Sequence, residues 1–285
     1  MGGVDDQKTM GPGGPTTGHI GDEGHSGDAP RRRRWGLYGA IGLIPLLGVL
    51  ALVWIASSLG PAPEAEWALV PGAGVDVTQQ TFGLVFSPTS VEPTTGVIFY
   101  PGGKVDYRSY AALAREMVEA RDVVVVIVPM TLDLAVLSED RADQVIEAMP
   151  EIESWVIAGH SLGGMAACSY LSEHAESGKD DVRGLVLLAS YPPEGVDLSG
   201  IAEEGVEAVV SVTASNDLIL DAEAFESARE RLPEDTVYVE IEGGNHSQFG
   251  SYGQQPGDGA ATISAQEQRA AVIEAIGLAL DAAAG

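Results

Sequence analysis

From about residue 67 onward, short apolar runs alternate with longer segments whose apolar side chains recur at helical spacing. The runs that predict strands are Ala68 to Val70, Thr81 to Phe86, Gly96 to Tyr100, Val123 to Val128, Trp155 to Ala158, Leu185 to Leu188, Val209 to Thr213 and Val237 to Ile241. The later ones are continuous in Val, Ile and Leu, the pattern of strands buried on both faces of a parallel sheet. Between them lie helix candidates at Tyr107 to Ala120, Ser138 to Met149, Leu162 to His174, Asp221 to Arg231 and Ser264 to Ala283, the last with Val272, Ile276 and Leu280 on one face. Alternation of this kind predicts an α/β class: a mostly parallel, twisted sheet of about eight strands flanked by helices.

Upstream the pattern changes. Residues 1–30 hold nine glycines and almost no large apolar side chains, too little to offset chain entropy, and are expected to be disordered. Arg31 to Arg34 then precede an uncharged apolar stretch, Trp35–Leu59, long enough to cross a hydrocarbon core of roughly 30 Å as a helix. Tryptophans at positions 35 and 54 and the flanking arginines fit a membrane span better than a core helix. A cleaved signal peptide fits less well, because its apolar core runs to about 7–15 residues. The expected organisation is therefore a tail with a basic cluster (1–34), one transmembrane helix (35–59), a Pro-rich linker (60–66) and an α/β domain (67–285). By the positive-inside rule the N-terminus would be cytoplasmic and the domain extracytoplasmic, on a single-pass membrane protein.

Charge narrows the partners. The first 60 residues balance five acids with five bases, so the whole formal charge of −27 falls on the remainder, with 37 acids and 10 bases. Such a surface repels polyanions, which argues against nucleic acid. A solvated acidic face that aids solubility is the preferred explanation; adaptation to high salt is a further hypothesis. The single Cys168 excludes an intrachain disulfide, sits in the Leu162 to His174 helix and reads as a small buried hydrophobe. No His/Cys/Asp cluster has metal-ligand spacing, and no glycine-rich stretch has a nucleotide-binding pattern, so neither metal nor cofactor is expected.

The chemistry is carried by Gly159-His160-Ser161-Leu162-Gly163, which joins a strand run to a helix run. In a chain with 36 glycines the bare G-x-S-x-G pattern arises by chance about 0.3 times, so its context must carry the claim. A strand-to-helix turn with flanking glycines is the setting of a nucleophile elbow, where Ser161 would be an exposed nucleophile at a helix N-terminus. An ordinary helix N-cap serine is the plainer alternative. The Leu162 N–H would supply one oxyanion donor, and Pro101-Gly102-Gly103-Lys104 after the Gly96 to Tyr100 run the other, with Gly103 chosen and Gly102 or Lys104 open as rivals.

Of five histidines, His19 and His25 lie in the tail, His160 inside the elbow and His174 at a helix end. His246 remains as base, on the loop after Val237 to Ile241. Asp217, after Val209 to Thr213, is the acid that would orient it; its loss should cost on the order of 10⁴ in turnover. Asp221 is the rival but reads as the start of the next helix. The 17 residues from Ala189 to Gly205 are too few for a helical cap, so the site should be open. Phe249 and Tyr252 are candidates for apolar walls of an acyl pocket, and the turn-rich Ser251 to Gly259 has no assigned role.

With Ser161, Asp217 and His246 in that order, residues 66–283 resemble the α/β-hydrolase superfamily. Tyr100-Pro101-Gly102-Gly103-Lys104-Val105-Asp106, Gly159-His160-Ser161-Leu162-Gly163-Gly164 and Gly243-Gly244-Asn245-His246-Ser247-Gln248-Phe249-Gly250 resemble its small, lidless, dienelactone-hydrolase-like bacterial branch. The resemblance implies the α/β-hydrolase fold and a serine hydrolase acting through an acyl-enzyme, most often on carboxylic esters. Dienelactone hydrolases proper use cysteine where this chain has Ser161, so that named activity does not carry over. The expected protein is a membrane-anchored carboxylesterase-like enzyme of small-molecule or envelope esters. An acyltransferase or peptidase using the same triad, and a non-catalytic envelope binding protein on the same fold, are the alternatives.

Overall fold

The computed structural model describes residues 58–133, 140–174 and 181–284. Eight strands form one sheet: β1 (Val75–Gln79), β2 (Leu84–Pro88), β3 (Thr95–Tyr100), β4 (Val124–Ile127), β5 (Ser154–His160), β6 (Val182–Leu188), β7 (Ala208–Ala214) and β8 (Val237–Ile241), in the order β1-β2-β4-β3-β5-β6-β7-β8. The first three in that order pair antiparallel, and β4 through β8 pair parallel. Each parallel step needs a crossover. The helices are α1 (Pro63–Ala68), α2 (Ala111–Arg121), α3 (Arg141–Ala148), α4 (Leu162–His174), α5 (Ala222–Ala228) and α6 (Ala265–Ala283).

Alternation along the strands divides the core into two layers. In β3, Val97 and Phe99 join α2 and α6 on one face, while Ile98 and Tyr100 join α3 and α4 on the other. Trp155, Tyr100 and Tyr110 are among the largest fully buried side chains. With both faces covered, β4 and β5 are buried at every position, and this is why they read as unbroken apolar runs.

Three expectations change at the N-terminal side. Ala68 to Val70 is not a strand: Ala68 ends α1, with Ala65 and Ala68 in the core, Pro63 in the first turn, and Glu64 and Glu66 at the positive end of the helix. The stretch read as a linker, 60–66, thus enters the domain. The first strand is instead Val75–Gln79, an edge strand of mixed polarity.

The third change concerns the membrane. No helix among the described residues is long and apolar enough to cross one. The fold is therefore the helix-flanked sheet without a preceding transmembrane helix among those residues. Attachment through Trp35–Leu59, the cytoplasmic tail and the extracytoplasmic domain are withdrawn with it. Most of that stretch, through residue 57, lies outside the described residues, but its end does not continue a helix. Leu59 forms a parallel bridge with Val105, its N–H donating to Lys104 O at 2.7 Å and its carbonyl accepting from Asp106 N–H at 2.9 Å. Hydropathy registers that leucine as apolar; it cannot register that the globular core covers it.

Candidate active site

Strands β3, β5, β6, β7 and β8 run parallel, so their C-terminal ends share one edge of the sheet, the edge at which open α/β sheets place their ligands. Every residue singled out for chemistry follows one of these ends.

At the end of β5 the backbone turns abruptly into α4, with Ser161 at φ +52°, a left-handed conformation that non-glycine residues adopt at a cost. The turn is held by Ser161 N–H to Leu188 O at 2.9 Å and by the Ser190 hydroxyl to Ser161 O at 2.7 Å. Two glycines make it possible. A Cβ on Gly159 would lie 2.5 Å from Gly164 N, and one on Gly163 would lie 2.2 Å from Tyr100 O. Ser161 and Leu162 are half-buried, while Gly163 and Gly164 are fully enclosed.

Asp217 and His246 meet at 2.8 Å, Oδ2 to Nδ1, with side chains 1% and 2% exposed. The other carboxylate oxygen accepts the N–H groups of Ile219 and Leu220, each at 2.8 Å. Burial raises the Asp217 carboxyl, but the His246 imidazole and the Leu220 and Ile219 amides outweigh it, leaving the group below its ordinary range. As an ionised acceptor it places the His246 proton on Nδ1 and leaves Nε2 as the basic nitrogen. Asp221, the rival acid, caps α5 through a bond from Ala224 N–H at 3.0 Å.

The two loops are also joined through their backbones. Ser215 N–H donates to Ile241 O at 3.1 Å, Asn216 N–H to Gly244 O at 2.9 Å, and Gly243 N–H to Ser215 Oγ at 2.8 Å.

After β3, the candidate oxyanion amides are sorted by their bonds. Gly102 N–H donates to Tyr110 Oη at 2.9 Å, and Lys104 N–H to Asp133 O at 2.7 Å. Neither Gly103 N–H nor Leu162 N–H has a hydrogen-bond partner among the described residues. These two residues pack against each other, since a Cβ on Gly103 would lie 3.3 Å from Leu162 Cβ.

Sequence reasoning missed the partners behind this loop. Tyr110 Oη, already accepting from Gly102, stands 2.8 Å from His160 Nδ1. The phenol oxygen thus ties the loop after β3 to the elbow histidine. Burial, and then the proximity of His246, hold His160 well below its ordinary pKa, so it stays neutral. Its ring centre is 4.5 Å from that of His246. Phe249 and Tyr252, expected as pocket walls, are buried, with rings 5.4 Å and 6.5 Å from His160. His174 pairs with Asp143 at 3.2 Å, and Cys168 is wholly buried, which pushes its thiol pKa up. From Ala189 to Glu207 the chain contains one short 3-10 turn, Ile201–Glu204, and no longer helix.

Residues 96–270 match the family model described as "Alpha/beta hydrolase family". Among solved structures, an esterase from the archaeon Pyrobaculum calidifontis is 17% identical over 82% of this chain and 93% of its own, with a TM-score of 0.55. A thermostable carboxylesterase cloned from a metagenomic library is 15% identical over 77% of this chain and 92% of its own, with a TM-score of 0.55. Carboxyl esterase 2 of the mycorrhizal fungus Tuber melanosporum is 14% identical over 74% of this chain and 88% of its own, at 0.53. At these identities the likeness is one of fold. No curated protein matches the chain.

Proposed function

The chain belongs to the alpha/beta hydrolase family, and on that premise we propose that it is a serine hydrolase, acting on carboxylic esters of small molecules through an acyl-enzyme. Ser161 Oγ attacks the ester carbonyl as His246 Nε2 takes its proton. Asp217 holds the imidazole in the required tautomer and stabilises the imidazolium. The oxyanion of the tetrahedral intermediate is bound by the N–H groups of Gly103 and Leu162. On collapse the C–O bond to the leaving group breaks and His246 returns the proton to the departing alcohol oxygen. Water then repeats the sequence on the acyl-enzyme and releases the acid.

The observation that carries this reading is the buried Asp217–His246 pair at 2.8 Å, on the sheet edge where Ser161 occupies a left-handed turn. The free Gly103 amide, between two neighbours whose amides are engaged, supports the choice of oxyanion donor. The short, capless link between β6 and β7 favours the small lidless branch and an open site for compact esters.

Full-length protein and Ser161→Ala should be compared in fluorophosphonate labelling and p-nitrophenyl acetate hydrolysis. Both signals are expected in the wild type and neither in the variant. A folded wild type with neither signal would defeat the proposal in favour of a binding protein on the same fold.

A further inference from the structure

The segment Ser251–Gly259 contributes no member of the proposed triad, yet it is bonded to both loops that do. Gln255-Pro256-Gly257-Asp258 closes a β-turn, with Asp258 N–H donating to Gln255 O at 3.1 Å and Gly257 at φ +92°. Proline second and a left-handed glycine third make a type II turn. It presents the Asp258 carboxylate to a ring of donors. Oδ2 accepts the N–H of Ser247 at 2.8 Å and its hydroxyl at 2.5 Å. Oδ1 accepts Gly259 N–H at 2.8 Å and stands 3.4 Å from the N–H groups of both His246 and Leu218. Ser247 Oγ in turn accepts Gln255 N–H at 2.9 Å, and Asn245 Nδ2 donates to Gly259 O at 2.7 Å.

One carboxylate thus spans the residue after the acid and the base residue itself. We propose that Asp258 is a positioning residue: it fixes the backbone at His246 and Ser247 against that at Leu218, so that the His246 imidazole meets Asp217 at bonding distance. This rests on the serine-hydrolase reading for its catalytic consequence, but the placement of the imidazole can be read without it. The carboxylate is suited to the task because it offers only acceptors, and bonds to an ionised acceptor are stronger than neutral ones. An asparagine would turn an NH2 group toward donors on one side or the other and release either Ser247 or the amides at His246, Leu218 and Gly259.

The test uses the full-length wild type, Asp258→Asn, Ser247→Ala, Asp217→Asn and the Asp217→Asn/Asp258→Asn double variant, each with its melting temperature. A loosened histidine should lower kcat on p-nitrophenyl acetate about 10- to 100-fold in Asp258→Asn, the scale of a misplacement of about 1 Å. KM should stay within about threefold, since uniform binding is untouched. The double variant should lose little beyond Asp217→Asn alone, because residues that act as one unit are not additive. Ser247→Ala, which removes one donor to Asp258 and the acceptor of Gln255 N–H with little change in volume, should fall between wild type and Asp258→Asn and serves if the latter does not fold.

A folded Asp258→Asn with wild-type kcat, or losses that multiply in the double variant, would overturn the proposal. A wild type without Ser161-dependent turnover would instead overturn the serine-hydrolase reading. The clasp is then judged by nuclear magnetic resonance of the His246 Nδ1–H proton, which should exchange faster in Asp258→Asn; unchanged exchange would refute it.

Discussion

His160 follows the first glycine of the elbow and faces His246, and its burial decides what it can do. His160 Nδ1 is 2.8 Å from Tyr110 Oη, which also accepts Gly102 N–H. His160 is 1% exposed, and burial together with the facing His246 ring keeps it neutral. A consequence for stability follows with a definite sign. Histidine in the unfolded chain titrates near 6.5, whereas folded His160 titrates well below that. As pH falls through about 6.5 the unfolded chain binds a proton that the folded one refuses, and His160 removes stability at up to about 1.4 kcal/mol per pH unit until its folded pKa is reached. His160→Gln keeps a hydrogen-bonding group beside Tyr110 but does not titrate. Denaturant melts from about pH 6.5 downward should give a slope shallower by about that amount in the variant. The depressed carboxyl of Asp217 adds its own loss of stability as pH falls through its folded pKa, but equally in both proteins, so the difference isolates His160. Parallel slopes would contradict the buried neutral assignment.

At the scale of elements, α6 acts on the proposed site from outside it. Its start is set by a capping box, in which Ser264 and Glu267 exchange side chain-to-backbone bonds. One residue into the helix beyond the box, the wholly buried Gln268 grips Asn245, accepting its N–H at 3.0 Å and donating to its carbonyl at 2.8 Å. Asn245 is the residue before His246. Gln268→Leu would leave both backbone groups buried without partners, at about 1–3 kcal/mol each. Chemical denaturation should therefore show a loss of about 2–6 kcal/mol, with ester turnover falling alongside; a loss under about 0.5 kcal/mol would show that water or a relaxed loop replaces the glutamine. Neither partner was legible in the sequence, where Gln268 is one polar residue on an amphipathic helix. What was legible at this scale were the strands buried on both faces, β3 through β7, because burial removes polar residues from them. The edge strand β1, with its burial limited to Val75, offered no such run and was missed.

For the molecule as a whole, parallel topology explains why the candidate site residues lie together: each follows a strand whose C-terminal end lies on the same sheet edge. The supporting residues could not be read, because Tyr110 reaches His160 across 50 positions and Asp258 reaches Leu218 across 40, and such separations leave no local pattern. Charge is the remaining whole-molecule property. Beyond residue 60 the chain holds 37 acids and 10 bases, and among the described residues no Asp or Glu is buried overall, although the Asp217 carboxylate is. Acids at such a surface repel one another more in the compact state than in the expanded chain. Raising ionic strength from about 0.01 M to about 0.1 M shortens the screening length from about 30 Å to about 10 Å and should relieve that repulsion. The melting temperature in sodium chloride, at fixed pH, is expected to rise by at least about 2 °C over this interval, the shift that roughly 0.5–1 kcal/mol produces in a domain of this size. A flat or falling curve would mean that the acids lie too far apart, or too near cations, to oppose folding. The course at higher salt separates the two explanations of the acidic composition. A plateau above about 0.1 M is screening alone, since little unscreened repulsion is left to remove, whereas a continued rise toward molar salt would mark a surface adapted to it.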